Sequence, residues 1–305
     1  MDTNNQFTEQ ARLLVTVLPH VAQQRCVALK GGTAINLFFR DLPRLSVDID
    51  LAYVPVEDRD TSLATIDRAL KTIATDIRHA VPHAVVHGSV LSGTTTWFKL
   101  IIERGGVRVK IEVTPVLRGS VYPPEVREVA QRAQALFGYA QVQLLSFEDV
   151  YAGKLCAALD RQHPRDLFDV RLLLAAEGIT PRLKDAFLVY LLSHHRPMAE
   201  LLAPTRKDIE AIYNGEFAGM AVEPVSLESL YAAREELIAT VQRVLTDQDR
   251  QFLLAVKRGD ADWSTFPIPD AARLPAVQWK LHNLSRMESA KRQKALKVLE
   301  RVLYE

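Results

Sequence analysis

Cysteine is scarce in this chain, and the scarcity excludes one architecture at once. Cys26 and Cys156 are the only two, far apart in 305 residues, so no disulfide framework organises the fold, and the pattern suits a reducing cytoplasm. Net charge is nearly absent too. A balance of +1 gives no global signature for nucleic acid or an anionic membrane, so any basic surface must be local. No stretch approaches the roughly 18 consecutive apolar residues of a membrane span. The opening Met1-Asp2-Thr3-Asn4-Asn5 is polar and lacks both the basic and the apolar region of a secretory leader. Internal repeats and low-complexity segments are absent. These absences predict a soluble, cytoplasmic chain with no membrane partner. The remainder is ordinary: 48% apolar and 25% charged residues support a sizeable core, and the length fits about two domains.

The pattern along the chain changes once. Residues 6–23 read as an amphipathic helix with Phe7, Ala11, Leu14, Leu18 and Val21 on one side. Cys26–Leu29 is a short apolar strand, followed by a Lys30-Gly31-Gly32 turn and a short helix to Phe39 that starts at a Thr33 cap. Ser46–Tyr53 reads as a strand, and Thr61–Ala80 as a helix that stops before Pro82. Strands follow at 85–91, 95–103 and 107–113, with Pro115 ending the sheet and 142–145 offering one more. This mixture predicts an α/β (α+β) domain over residues 1–145. From Ser146, which with Asp149 forms a capping-box pattern, helical periodicity dominates to the end. Helices are expected near 147–161, 164–176, 181–194, 205–213, 227–245, 246–257, 271–284 and 286–302. Residues 146–305 therefore read as an all-helical domain.

The densest chemistry lies near the N-terminus. Asp48-Ile49-Asp50 places two carboxylates on one face of a strand, because side chains alternate with period two. Such a face holds one or two divalent ions, and hard carboxylate oxygens suit Mg²⁺. An isolated pair of this kind more often ends a strand and starts a turn. Here a Gly31-Gly32-Thr33 turn opening a helix precedes it, and backbone N–H groups at such a turn hold phosphate. The same glycines also suit a tight strand–helix connection, and Thr33 suits a cap. In Val107–Val113, Arg108, Lys110 and Glu112 share a face. Glu112 is either a third metal ligand and base or half of a solvated Lys–Glu pair.

Lys154 and Arg161 are seven residues apart on the next helix and share a side. After His163-Pro164, Asp166 and Asp169 are neighbours at i, i+3. One reading gives Lys154 to a nucleotide triphosphate as a compact cation. Arg161 or Arg165 would assist it, and Asp166 or Asp169 would orient it. The other reading is an Asp–Arg network joining two helices.

Taken in order, these segments resemble the AbiEii/AbiGii-type nucleotidyltransferase toxins of the DNA polymerase β-like superfamily, which include MenT-like toxins. The matching text is Leu29–Leu37, Ser46–Leu51, Lys110-Ile111-Glu112, Lys154–Ala158 and Arg165–Val170. The resemblance implies a polymerase β-like domain followed by a helical domain that completes the site. It implies nucleotide binding by Gly32, Thr33 and Lys154, to which the reading of the residues adds Gly31, Arg161 and Arg165. It implies metal binding by Asp48 and Asp50, to which that reading adds Glu112, and a later catalytic aspartate at Asp166 or Asp169. The expected cofactor is Mg²⁺ (or Mn²⁺) and the substrate an NTP. The expected partners are a cognate antitoxin and tRNA, since some relatives add nucleotides to the tRNA acceptor end. Two rivals stand beside this: transfer to a protein or antibiotic-like small molecule, and a non-catalytic nucleotide-binding module.

Weaker signals remain. His79, His83 and His87 recur every four residues, but Pro82 breaks any helix that would align them. His194-His195 ends a helix, where it meets the dipole. Trp97, Trp263 and Trp279 read as core or domain-contact residues. Lys280–Glu305 holds seven Lys/Arg against three Glu, which either contacts RNA phosphates or forms a solvated helix face.

Overall fold

The computed structural model describes residues 6–305, so the polar opening Met1–Asn5 lies outside the described residues. Two compact units emerge. One reaches to Val150 and takes back Gly219–Glu223; the other comprises Tyr151–Ala218 and Pro224–Glu305.

The first unit is built on a seven-stranded mixed sheet. Its strands are β1 (Val27–Lys30), β2 (Asp48–Tyr53), β3 (Val85–Val90), β4 (Trp97–Arg104), β5 (Val107–Arg118), β6 (Glu125–Glu128) and β7 (Gln141–Leu144), in the spatial order β3-β4-β5-β2-β1-β7-β6. The apolar Val27-Ala28-Leu29 run is central and buried, as a strand covered on both faces requires. β2 alternates instead: Ile49 and Leu51 are fully buried, while Asp48 and Asp50 point the other way and keep solvent contact. β5 follows the same rule, with Val109, Ile111 and Val113 inward. β2 and β5 run parallel, with Asp48 beside Lys110 and Asp50 beside Glu112. Helix α1 (Gln6–Ala22) packs on β5 and β7 through a buried Ala11, Leu14, Leu18, Val21 stripe; Phe7, expected in that stripe, is 38% exposed.

Next come α2 (Gly31–Ala34), which runs directly into a π-turn over Ile35–Phe39, and α3 (Arg59–Ala80). α3 begins two residues before the expected Thr61 because Asp58 caps it, accepting the Thr61 N–H at 2.9 Å. It ends at Val81, extended as a residue before proline prefers to be. The segment Gly219–Glu223 belongs to this unit through backbone bonds: Leu45 N–H to Met220 O and Val222 N–H to Pro43 O.

One expectation fails here, and two elements are unexpected. Pro115 does not end the sheet, for β5 continues to Arg118. The β2–β5 register slips between Ala52–Thr114 and Tyr53–Arg118, and a proline, which has no N–H to donate, is tolerated at such an irregularity. β6 and α4 (Gln131–Phe137) have no readable pattern in the sequence. β6 is a short charged edge strand paired only to β7, and an edge needs no apolar alternation.

α5 (Phe147–Arg161) carries the chain into the second unit. Its cap is as the sequence predicts: Ser146 Oγ accepts the Asp149 N–H at 3.0 Å. The Asp149 carboxylate also takes the N–H groups of Val121 and Tyr122 at 2.8 and 2.9 Å. The second unit is helical: α6 (Pro164–Ala176), α7 (Pro181–Ser193), α8 (Met198–Leu202), α9 (Glu210–Ile212), α10 (Leu227–Val244), α11 (Asp247–Arg258), α12 (Pro275–Ser285) and α13 (Ser289–Tyr304). Of the helix expected over 205–213 only Glu210–Ile212 forms, running into a π-turn over Tyr213–Phe217. Gln162 donates to Thr205 O and accepts from Lys207 N–H, and Arg234 donates to Lys207 O. Buried side chains thus satisfy a backbone that helical bonds would otherwise satisfy. The helix expected over 271–284 is split at Pro275: a 3₁₀ turn over Pro269–Arg273 precedes α12. Both cysteines are free thiols. No helix among the described residues is long and apolar enough to cross a membrane.

Candidate active site

In the first unit, the two strand faces bring Asp48, Asp50 and Glu112 together, with Lys110 among them. Lys110 Nζ lies 3.1 Å from Glu112 Oε2 and 4.0 Å from Asp50 Oδ1. Burial pulls the Lys110 ammonium down, but Asp48, Asp50 and Glu112 outweigh burial and leave it raised. Asp50 and Glu112 keep 38% and 36% of their side-chain surface exposed. Three hard-oxygen groups thus gather around Lys110 at a solvated surface. That donor set fits a divalent cation.

The glycine turn abuts this face. Gly31 has φ +74°, and a side chain there would bring Cβ to 3.0 Å from Asp50 Oδ2. Glycine is therefore required twice, for the left-handed backbone and for the close approach to the carboxylate. At Gly32 a Cβ would meet the buried Arg44 guanidinium at 2.9 Å and Ser46 Oγ at 3.0 Å. Thr33 is not the cap that the sequence suggests. α2 begins two residues earlier, with Lys30 at the cap position, and Thr33 lies inside it, 1% exposed. Its hydroxyl donates to Asp48 O at 2.5 Å and lies 3.0 Å from Ser46 Oγ. Thr33 thus fastens the glycine turn to the strand that carries the carboxylates. Asn36 adds a bond to Gly32 O at 2.8 Å. Sequence reasoning misses Arg44 and Ser46 as residues of this site; their spacing of four and two before Asp48 is the signal that could have found them.

In the second unit, α5 and α6 close a separate cluster. Lys154 Nζ sits 2.7 Å from Asp166 Oδ1 and 3.0 Å from Asp169 Oδ2, with all three side chains at most 6% exposed. Arg161 grips the same Asp166 with two nitrogens, Nε at 2.5 Å and Nη2 at 3.0 Å, while its own side chain is 61% exposed. Burial pushes the Asp166 carboxyl up, but Lys154 and Arg161 outweigh it and hold Asp166 well below the usual carboxylate range. The junction between the helices makes this possible. Gln162 is fully buried with φ +53°, His163 caps α6 by accepting the Arg165 N–H at 3.1 Å, and Pro164 takes the first helical position. Arg165 turns elsewhere, to Glu216 at 3.6 Å, which also meets His163 at 3.1 Å.

Among the described residues, one group of three metal-ligating side chains lies close together: Asp160, His194 and His195, within 4.8 Å. Arg196 Nε stands 2.5 Å from Asp160 Oδ1, so a cation already meets that carboxylate. The His79, His83, His87 repeat forms no such group. Trp263 packs edge-on against Phe252 at 5.2 Å. Trp279, expected in the core or between domains, is 60% exposed.

The family model for the nucleotidyl transferase AbiEii toxin of type IV toxin–antitoxin systems matches residues 12–283. Among solved structures, MenT4, a nucleotidyltransferase toxin from Mycobacterium tuberculosis H37Rv, superposes with a TM-score of 0.60. It shares 16% sequence identity, and the match covers 96% of this chain and 94% of that one. At that identity the likeness is one of fold. No curated protein gave a significant match.

Proposed function

The chain belongs to the AbiEii family of nucleotidyltransferase toxins, and we propose that it transfers NMP from an NTP to a hydroxyl at the tRNA 3′ acceptor end, using Mg²⁺ held by Asp48, Asp50 and Glu112. The observation that carries this reading is the carboxylate face itself: three acids, two of them more than a third exposed, lie against a glycine turn that no side chain could enter. When bound, Mg²⁺ neutralises charge that builds on the phosphate oxygens. Thr33 positions Asp48 through its hydroxyl, and Gly31 lets the turn approach Asp50 closely; the turn's backbone N–H groups are assigned to phosphate. The triphosphate charge is assigned to Lys154 and Arg161. Asp166 and Asp169 hold Lys154, and Asp166 presents the exposed Arg161. Arg165, turned to Glu216, is assigned a secondary part.

The acceptor oxygen bonds to the α-phosphorus as the bond to the bridging oxygen breaks. Pyrophosphate leaves with the electron pair, and Glu112 takes the hydroxyl proton. A cognate antitoxin is its counterpart, and the cytoplasm is the place of action. The test is transfer of label from each α-³²P NTP to total bacterial RNA in the presence of Mg²⁺. A labelled tRNA-sized band, lost in Asp48→Ala, is the expected result. Label on protein or on a small molecule instead would move the acceptor. No label anywhere would leave a nucleotide-binding module.

A further inference from the structure

Resting on the reading of an RNA acceptor, we propose that the solvent face of α13, together with Trp279 and His282 on α12, is the surface on which this chain docks RNA with unpaired bases. α13 buries Leu299 and Leu303, at 1% and 2% exposure. Lys291, Lys294, Lys297 and Arg301 are all solvent-accessible. At about 100° per residue these four occupy a sector of roughly 120° on the side away from the two leucines. Of the three acids at that helix, Glu288 at its start and Glu300 lie outside the sector; Glu305, at its end, lies inside it, four residues beyond Arg301.

The cations are available. Several exposed arginines elsewhere in this unit are tied to neighbours: Arg206 to Glu235 at 2.8 Å, Arg258 to Asp260 at 3.1 Å and Arg273 to Asp270 at 3.7 Å. Among the described residues, none of the four on α13 has a carboxylate at that range. A row of uncompensated lysines repels itself and gains from a polyanion.

The aromatic pair points to RNA rather than to an acidic protein. Trp279 keeps 60% of its surface in water and lies over His282, with ring centroids 6.0 Å apart and planes 24° from parallel. An indole left this open gains by covering its free face, and an unpaired base is a flat, polar-edged partner for it. Exposed cations and a stacking platform are the two elements that bind single-stranded nucleic acid without reading sequence.

The experiment is equilibrium binding of labelled bacterial tRNA to the full chain across a salt series. It compares wild type, the combined Lys291→Glu, Lys294→Glu, Lys297→Glu, Arg301→Glu variant, the four-fold glutamine version and Trp279→Ala. Circular dichroism confirms folding, and the glutamine set keeps the test valid if charge reversal disturbs α13. Wild-type affinity should fall with salt. The glutamine set should bind about tenfold or more weakly and flatten the salt slope by roughly 0.7–0.9 for each phosphate it no longer neutralises. Trp279→Ala should weaken binding roughly tenfold and leave the slope in place. If wild type labels tRNA while the glutamine set binds it with unchanged affinity and slope, the surface is overturned and the acceptor stands. Wild type that neither binds nor labels RNA overturns both. An acidic protein that loses its grip on the glutamine set while RNA affinity holds assigns the face to that partner and overturns the proposal.

Discussion

The carboxylate face of the first unit and the Lys154 cluster of the second use the same residue types to opposite ends. Around Lys110, three acids gather on two strand faces, and Asp50 and Glu112 stay about a third exposed, where water reaches. Around Asp166, two acids meet two cations, and Lys154, Asp166 and Asp169 are sealed. An open site, its carboxylates in reach of water, is poised to take a cation from solution. A closed one holds its members in place and presents Arg161 outward. The general lesson is that burial, more than the identity of the acids, separates a binding face from an internal clamp.

This contrast is breakable. The largest expected effect is on transfer: Asp48→Ala should lower the rate by at least about 10³-fold, since positioning and electrostatic stabilisation carry most of phosphoryl transfer. Its melting temperature should stay near wild type. A large drop in thermal stability would mean that the open face is structural after all. Conversely, Asp166→Ala should cost roughly 3–5 kcal/mol of folding stability, the usual penalty for orphaning a buried charge. Denaturant unfolding of the two variants side by side is the sharpest comparison available.

Acid should separate the regions as well. The folded Asp166 carboxyl is depressed below its unfolded value of about 3.9. Its contribution is therefore present above that value and lost as pH falls through it toward the folded pKa. Acid unfolding of wild type should show this loss below about pH 4, and Asp166→Asn should lack that component. A next step down in size is Thr33→Val. Removing the hydroxyl leaves Asp48 O without that donor, at a cost of roughly 1–3 kcal/mol, and the turnover rate should fall while stacking of the sheet, read by near-ultraviolet circular dichroism, is retained. The smallest effect is on ion affinity. Lys110→Met removes the ammonium that competes for the three acids, and titration calorimetry should find Mn²⁺ bound severalfold more tightly. Weaker binding would show that Lys110 organises the acids rather than competing with a cation.

Much of the fold and of the candidate site is legible in the sequence, because some signals are local. Period-two alternation in Asp48-Ile49-Asp50 and in Val107–Val113 fixes which side chains share a face, whatever the strand pairs with. The break at His163-Pro164 and the caps at Ser146 and Thr180 are equally local, and α5 and α6 run as expected, with α7 one residue shorter. The failures share one cause. At Thr205 and Lys207 the backbone is claimed by Gln162 and Arg234, 27 to 45 residues away in sequence, and no window of neighbouring residues contains that competition. Thr33 has good cap chemistry, yet its hydroxyl goes to Asp48 O, 15 residues on.

The sequence by itself determined the family, the mixed and helical halves, and the list of acids and cations with the faces they occupy. Those follow from short-range periodicity and from motif order along the chain. The tertiary structure decided who meets whom. The parallel β2–β5 register set Glu112 beside Asp50, and the α5–α6 turn gave Lys154 to both Asp166 and Asp169 while sending Arg165 to Glu216. Partner choice depends on long-range strand register and on which groups burial obliges to pair, and neither is encoded at any single position.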